Sequence, residues 1–208
     1  MQEQSFLTYT FLSLFIVACQ SAFVLCNTGL TSPYQATGLN PYDIRIPCEK
    51  PPLCYDFSKV GKWLNLDSTK KALGVDPKHS HSWKSCNFGI NMKFHSDWMH
   101  DFSHYVAVLL DAGLPALIYA GDVDFICNYM GNKAWTYKLE WSGKEEFQAA
   151  AEHDWKGSGI ARTSNGLTFL QVFDGTYSDH ALDYENTPSI IYFVSLVCLN
   201  CSGSHGPS

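Results

Sequence analysis

The chain has 208 residues, 46% of them hydrophobic and 16% charged, which suits one globular domain with a real core and excludes a disordered chain. The formal net charge is −6 and the Lys and Arg residues are scattered. With no basic stripe to follow a phosphate backbone, nucleic acid is excluded as a partner.

Residues 1–18 are a signal-like or artefactual segment. The apolar run from Leu7 to Cys26 has the length of a bilayer span, but a run at a chain start suits a signal peptide better. The preceding Met1-Gln-Glu-Gln lacks the basic residues of a signal peptide, and a stable membrane span is not expected. Residues 31–52, rich in Pro, Gly, Asn and Tyr, read as an irregular connection. Residues 57–75 read as two short helices, the second starting near Asp67 and Ser68 and closing near Gly74. Residues 97–112 place Trp98, Met99, Phe102, Tyr105, Val106, Leu109 and Leu110 at helical spacing, with Gly113 as the stop.

The apolar stretch from Leu114 to Ala120, bracketed by Gly113 and Gly121, has the pattern of a strand buried on both faces. Residues 128–139 read as a helix, 140–166 as an irregular polar stretch, and 167–173 as a second strand. Strand, helix and strand in that order make a right-handed parallel crossover. Chemistry in such sheets gathers just past the carboxyl ends of strands, which is where Gly121-Asp-Val-Asp124 lies. Asp124 could orient an imidazole there, although Asp122 and Asp124 could equally be ordinary turn residues.

The eight cysteines are Cys19, Cys26, Cys48, Cys54, Cys86, Cys127, Cys198 and Cys201. Two prolines between Cys48 and Cys54 favour a tight loop whose ends meet, which suits a disulfide made in an oxidising compartment; eight reduced structural cysteines would be the alternative. Cys198-x-x-Cys201 has no second ligand pair near it. His79, His81, His95, His100 and His104 cluster along the chain, and His100 and His104 have i, i+4 spacing, but no Glu follows His100 as a metalloprotease would need. No metal site and no cofactor are expected. Neither Gly-x-Ser-x-Gly nor a phosphate-binding glycine loop occurs in the 208 residues.

The stretch Tyr119-Ala-Gly-Asp-Val-Asp-Phe-Ile-Cys-Asn-Tyr-Met-Gly-Asn-Lys-Ala-Trp135 resembles the serine carboxypeptidase family. Leu30-Thr-Ser-Pro-Tyr-Gln-Ala-Thr-Gly-Leu-Asn-Pro-Tyr-Asp-Ile-Arg45, the Cys48/Cys54 loop, Ser85-Cys86-Asn87 and Asp97-Trp98-Met99 carry the same resemblance in the same order, over residues 19–174. It implies an α/β fold: the C-terminal half of an α/β-hydrolase, a parallel sheet with flanking helices, the sheet incomplete. It also implies removal of C-terminal residues from peptides, best at acidic pH, by Ser, Asp and His. Asp124 matches the catalytic aspartate; Trp98, Ile126 and Cys127 match positions lining the pocket for the residue before the scissile bond. Cys48 and Cys54 match a local disulfide, while Cys86, Cys19 and Cys26 match cysteines whose partners fall outside these residues.

Two departures bear on activity. The serine elbow is not among the 208 residues. Where the family continues into Ala-Gly-His-Met, this sequence reads Gly175-Thr-Tyr-Ser-Asp-His180, with Tyr177 at the position of the base. Residues 175–208 read as a divergent tail such as an unspliced intron would encode. The chain is therefore expected to be a serine carboxypeptidase by resemblance but inactive by itself, and to be poorly soluble or to need a partner, because half a sheet exposes apolar edges. The alternatives are a non-catalytic peptide-binding fragment and an acyltransferase of the same family. The expected partner is a peptide, as substrate or ligand, in the secretory pathway: vacuolar, lysosomal or extracellular.

Overall fold

The computed structural model describes residues 21, 23–94, 97, 100–176 and, for the backbone alone, 191–194. The leader through Cys19, Trp98, His95, Tyr177, His180 and the Cys198/Cys201 pair lie outside the described residues. The chain forms two compact units, residues 1–46 with 99–199, and residues 47–98 with 200–208.

The first unit is built on a mixed five-stranded sheet. Its strands are β3 (Ala116–Gly121), β4 (His153–Asp154), β5 (Gly159–Ser164), β6 (Leu167–Val172) and β7 (Ile191–Val194), in the order β4-β5-β6-β3-β7. β3 runs parallel to both β6 and β7, with Ala116 opposite Leu167 and Ile191. β5 is antiparallel to β6. Ahead of this sheet come α1 (Ser32–Ala36) and a two-stranded ribbon, β1 (Leu39–Asn40) and β2 (Asp43–Pro47).

β3 is apolar along its length because both of its faces are covered. On one face, Ala116 and Ile118 join Leu167 and Phe169 of β6 beneath three helices, α5 (Ser103–Asp111), α6 (Tyr129–Lys138) and α7 (Lys144–Ala149). The helices contribute Val106, Ala107, Leu110 and Phe147, and Leu139 follows α6 directly. On the other face, Leu117 packs with Ala161 and Leu170. Ile118, Leu167 and Phe147 are no more than 1% exposed, so each side chain stabilises the fold by roughly 1.5–3 kcal/mol.

Three elements differ from the sequence reading. The segment 140–166 is not irregular: it holds α7, β4 and β5, and β5 makes a hairpin with β6 through Asn165 and Gly166, both at positive φ (48° and 88°). That is the backbone twist a two-residue hairpin turn needs. Helix α5 starts at Ser103, six residues later than the spacing suggested, where Asp101 accepts a bond from the Ser103 N–H at 2.8 Å. His100 therefore precedes the helix and shares no helical face with His104. Residues 31–52 contain a short helix and a ribbon where a plain connection was expected.

The second unit contains α2 (Ser58–Leu64), α3 (Asp67–Ala72) and α4 (Phe88–Asn91), tied by the Cys48–Cys54 disulfide and by Asn65, which exchanges bonds with the Trp83 backbone at 2.7 and 3.0 Å. An open cleft of about 340 Å³ lies in this unit, lined by Pro51, Pro52, Tyr55, Phe57, Trp83 and Lys84 among others. No helix among the described residues is long and apolar enough to cross a membrane.

Candidate functional site

β3 ends on Gly121, where no side chain fits. A Cβ there would lie 1.9 Å from the Gly175 carbonyl oxygen, so the end of β3 and the end of β6 meet backbone to backbone. The two aspartates beyond it then take different roles. Asp122 is a structural clasp: its N–H donates to the Val172 carbonyl at 3.1 Å and its carboxylate accepts from the Asp174 N–H at 2.9 Å. Asp124 is the buried one, 4% exposed, with Oδ1 accepting from the Cys127 N–H at 2.8 Å. Burial pushes its carboxyl up to about 6, against the Cys127 and Ile126 N–H groups, which pull it down.

The turn bearing Asp124 is held from residues 34–45. The Pro41 carbonyl accepts from both the Phe125 and the Ile126 N–H, at 3.1 and 3.0 Å, and the Ile44 N–H donates to the Val123 carbonyl at 3.0 Å. The Tyr34 ring stacks on Phe125, centroids 3.8 Å apart and planes 6° from parallel. Burial, then the Asp43 and Asp124 charges, raise the Tyr34 phenol. Beside it Asp43 is paired with Arg45 through two bonds of 2.9 Å, and the Arg45 guanidinium holds the Asp43 carboxyl below its ordinary value. Arg45 also reaches Asp174 at 3.2 Å, but that carboxylate is 86% exposed and adds little.

Of the expected site residues, Ile126 and Cys127 share the Asp124 turn, Ile126 half-buried and Cys127 buried and disulfide-bonded; Trp98 lies outside the described residues. Cys48 and Cys54 are bonded to each other in the second unit. Cys86 is also disulfide-bonded within the chain, whereas the family pattern implied a partner outside it. Among the described residues no group of three His, Cys, Asp or Glu is placed to hold a metal. The supports Tyr34, Asn40, Pro41, Asp43 and Arg45 were missed as functional residues, although their stretch was family-like. The arrangement can present one buried acid, rigidly held, at the carboxyl end of a parallel strand.

The sequence model of the serine carboxypeptidase family (peptidase family S10) matches residues 5–189, extending beyond residues 19–174 in both directions. The chain is 42% identical over 185 residues to carboxypeptidase Y of Candida albicans, covering 86% of this chain and 33% of that one. It is 44% identical over 168 residues to a carboxypeptidase Y homolog A of Arthroderma gypseum, covering 74% of this chain and 30% of that one. Among solved structures it is similar to Kex1(delta)p, a prohormone-processing carboxypeptidase from Saccharomyces cerevisiae, with a TM-score of 0.52 and 25% identity, over 66% of this chain and 32% of that one. The chain thus spans about a third of the length of the curated relatives it matches.

Proposed function

The chain belongs to the serine carboxypeptidase family, and from that premise we propose that it supplies the acid of a Ser-His-Asp system that removes C-terminal residues from peptides, with Asp124 as that acid. The observation that carries this reading is Asp124 itself: a buried carboxylate just past the end of a parallel strand, on a turn held by backbone bonds. A carboxylate there fixes the tautomer of an imidazole and stabilises its cation. An imidazolium within reach would also lower the raised Asp124 carboxyl and keep it ionised. Ile126 and Cys127, on the same turn, and Trp98 line the pocket for the residue before the scissile bond. The disulfide Cys48–Cys54 supports a location in the oxidising secretory pathway.

The 208 residues contain no Gly-x-Ser-x-Gly elbow, and triad groups act as a unit. These residues alone are therefore expected to bind peptides without hydrolysing them. A chimera tests the activity: residues 19–174 replace the matching segment of the Candida albicans enzyme, which keeps its own serine and histidine. Mass spectrometry of a digested peptide should show single residues lost in sequence from the C-terminus. Internal cleavage, or acyl transfer to an added alcohol without hydrolysis, would contradict the reading.

A further inference from the structure

Besides the Cys127 N–H bond to Asp124 Oδ1 within it, the Asp124 turn is held by a carbonyl 83 residues away in sequence. Two consecutive N–H groups after Asp124, those of Phe125 and Ile126, converge on the Pro41 oxygen. That oxygen is aimed by its neighbour. Asn40 is fully buried, its Oδ1 accepts from the Tyr42 N–H at 2.9 Å, and its own carbonyl accepts from the Tyr34 hydroxyl at 2.9 Å. The first bond folds residues 40–42 into an Asx turn with the Pro41 carbonyl at its centre. The second fastens Asn40 to the ring that stacks on Phe125. The Asn40 Nδ2 has no hydrogen-bond partner among the described residues, although burying such a group unpaired is costly.

We infer that Asn40 is a positioning residue for Asp124, acting through the Pro41 carbonyl and braced by Tyr34. The inference rests on the reading of Asp124 as the acid, since only then does the direction of its carboxylate matter to a reaction. A carboxylate loses its use as an orienting group once it can rotate or take up water, and the Asn40–Pro41 turn prevents both. Asp43, Arg45 and Tyr34 are the charged or titratable groups nearest this turn, with Asp122 and Asp174 at the strand ends.

The test uses the full chain and two readouts, amide hydrogen exchange and carboxyl titration followed by ¹³C NMR. In Asn40→Ala the Phe125 and Ile126 amides should exchange about tenfold faster, while those of β3 stay at the wild-type rate. The Asp124 midpoint should fall from about 6 toward the ordinary value of about 4 as water reaches the carboxylate. Asn40→Ser, whose hydroxyl can make the same turn more weakly, should restore part of both. Tyr34→Phe keeps the stack and loses one bond, so it should move both readouts by a smaller amount without threatening the fold. Phe147→Leu, a core change elsewhere, should move neither. Wild-type exchange at Phe125 and Ile126 in both Asn40→Ala and Tyr34→Phe would overturn the inference, as would an equal change in Phe147→Leu. These readouts ask where Asp124 sits, so they stand whether or not Asp124 later proves to be the acid in hydrolysis.

Discussion

A carboxyl that titrates near 6 inside a protein makes stability depend on pH in a fixed direction. For Asp124 the folded value lies above the ordinary one, so its contribution is fully present below about pH 4 and is lost as pH rises through about 6. The loss is about 3 kcal/mol at neutral pH, from 1.36 kcal/mol for each tenfold change in proton affinity. Asp124→Asn removes it. Urea unfolding should therefore show the variant gaining about 3 kcal/mol on the wild type between pH 4 and pH 7. Parallel pH profiles would mean that the carboxyl is not held in a desolvated site. Asp43 behaves in the opposite sense. Arg45 lowers its folded value, so that pair stabilises above the ordinary carboxyl range and is lost as pH falls through the folded value. Arg45→Ala should cost about 2 kcal/mol at pH 7, where a nearly buried carboxylate loses its charged partner. The variant and wild type should converge in acid.

At the scale of elements, the meeting of β3 and β6 depends on the absence of a side chain. Gly121→Ala would force a Cβ into the Gly175 carbonyl, and backbone cannot swing aside as a side chain can. A loss of about 3 kcal/mol or more is expected in a thermal or urea melt, against a change within about 0.5 kcal/mol for Gly29→Ala, where nothing lies within 4 Å. The strands at this junction were legible from the sequence, because Leu114–Ala120 is an apolar stretch bounded by glycine and the run from Leu167, just after Gly166, is mostly apolar. Strand β5 was not: Gly159-Ile-Ala-Arg-Thr-Ser164 carries few apolar residues, and its place is fixed by pairing with β6 and by the close approach of Gly159 to the Gln171 carbonyl. Asp124 became a candidate because it follows a strand, and the family resemblance singled it out from Asp122. The Asn40–Pro41 support could not be found this way, since a backbone oxygen leaves no mark in residue pattern and its partners are far along the chain. The start of α5 was misplaced for a related reason: Trp98 and Met99 continue the apolar spacing ahead of Asp101, whose carboxylate accepts from the Ser103 N–H where the helix begins.

Across the whole molecule, the compact unit that carries Asp124 also carries the residues that hold its turn. The Asp124 turn, the brace from residues 34–45 and the sheet that aims them all fall within residues 1–46 and 99–199. The Cys48–Cys54 loop belongs to the other unit. By loop closure a bridge across so short a segment is worth about 2 kcal/mol, so reduction should lower the melting of the second unit measurably. What these parts have in common with serine carboxypeptidases is the family's fold. What they do together in a reaction turns on one carboxylate. The most direct measurement is kcat for peptide hydrolysis by the chimera carrying residues 19–174, with Asp124 and with Asp124→Asn. An amide at that position would hold the imidazole in the wrong tautomer, so kcat should fall by about 10⁴ with the fold intact. A kcat within about tenfold of the unmutated chimera would contradict the account, because the buried carboxylate would then be a turn residue and no more.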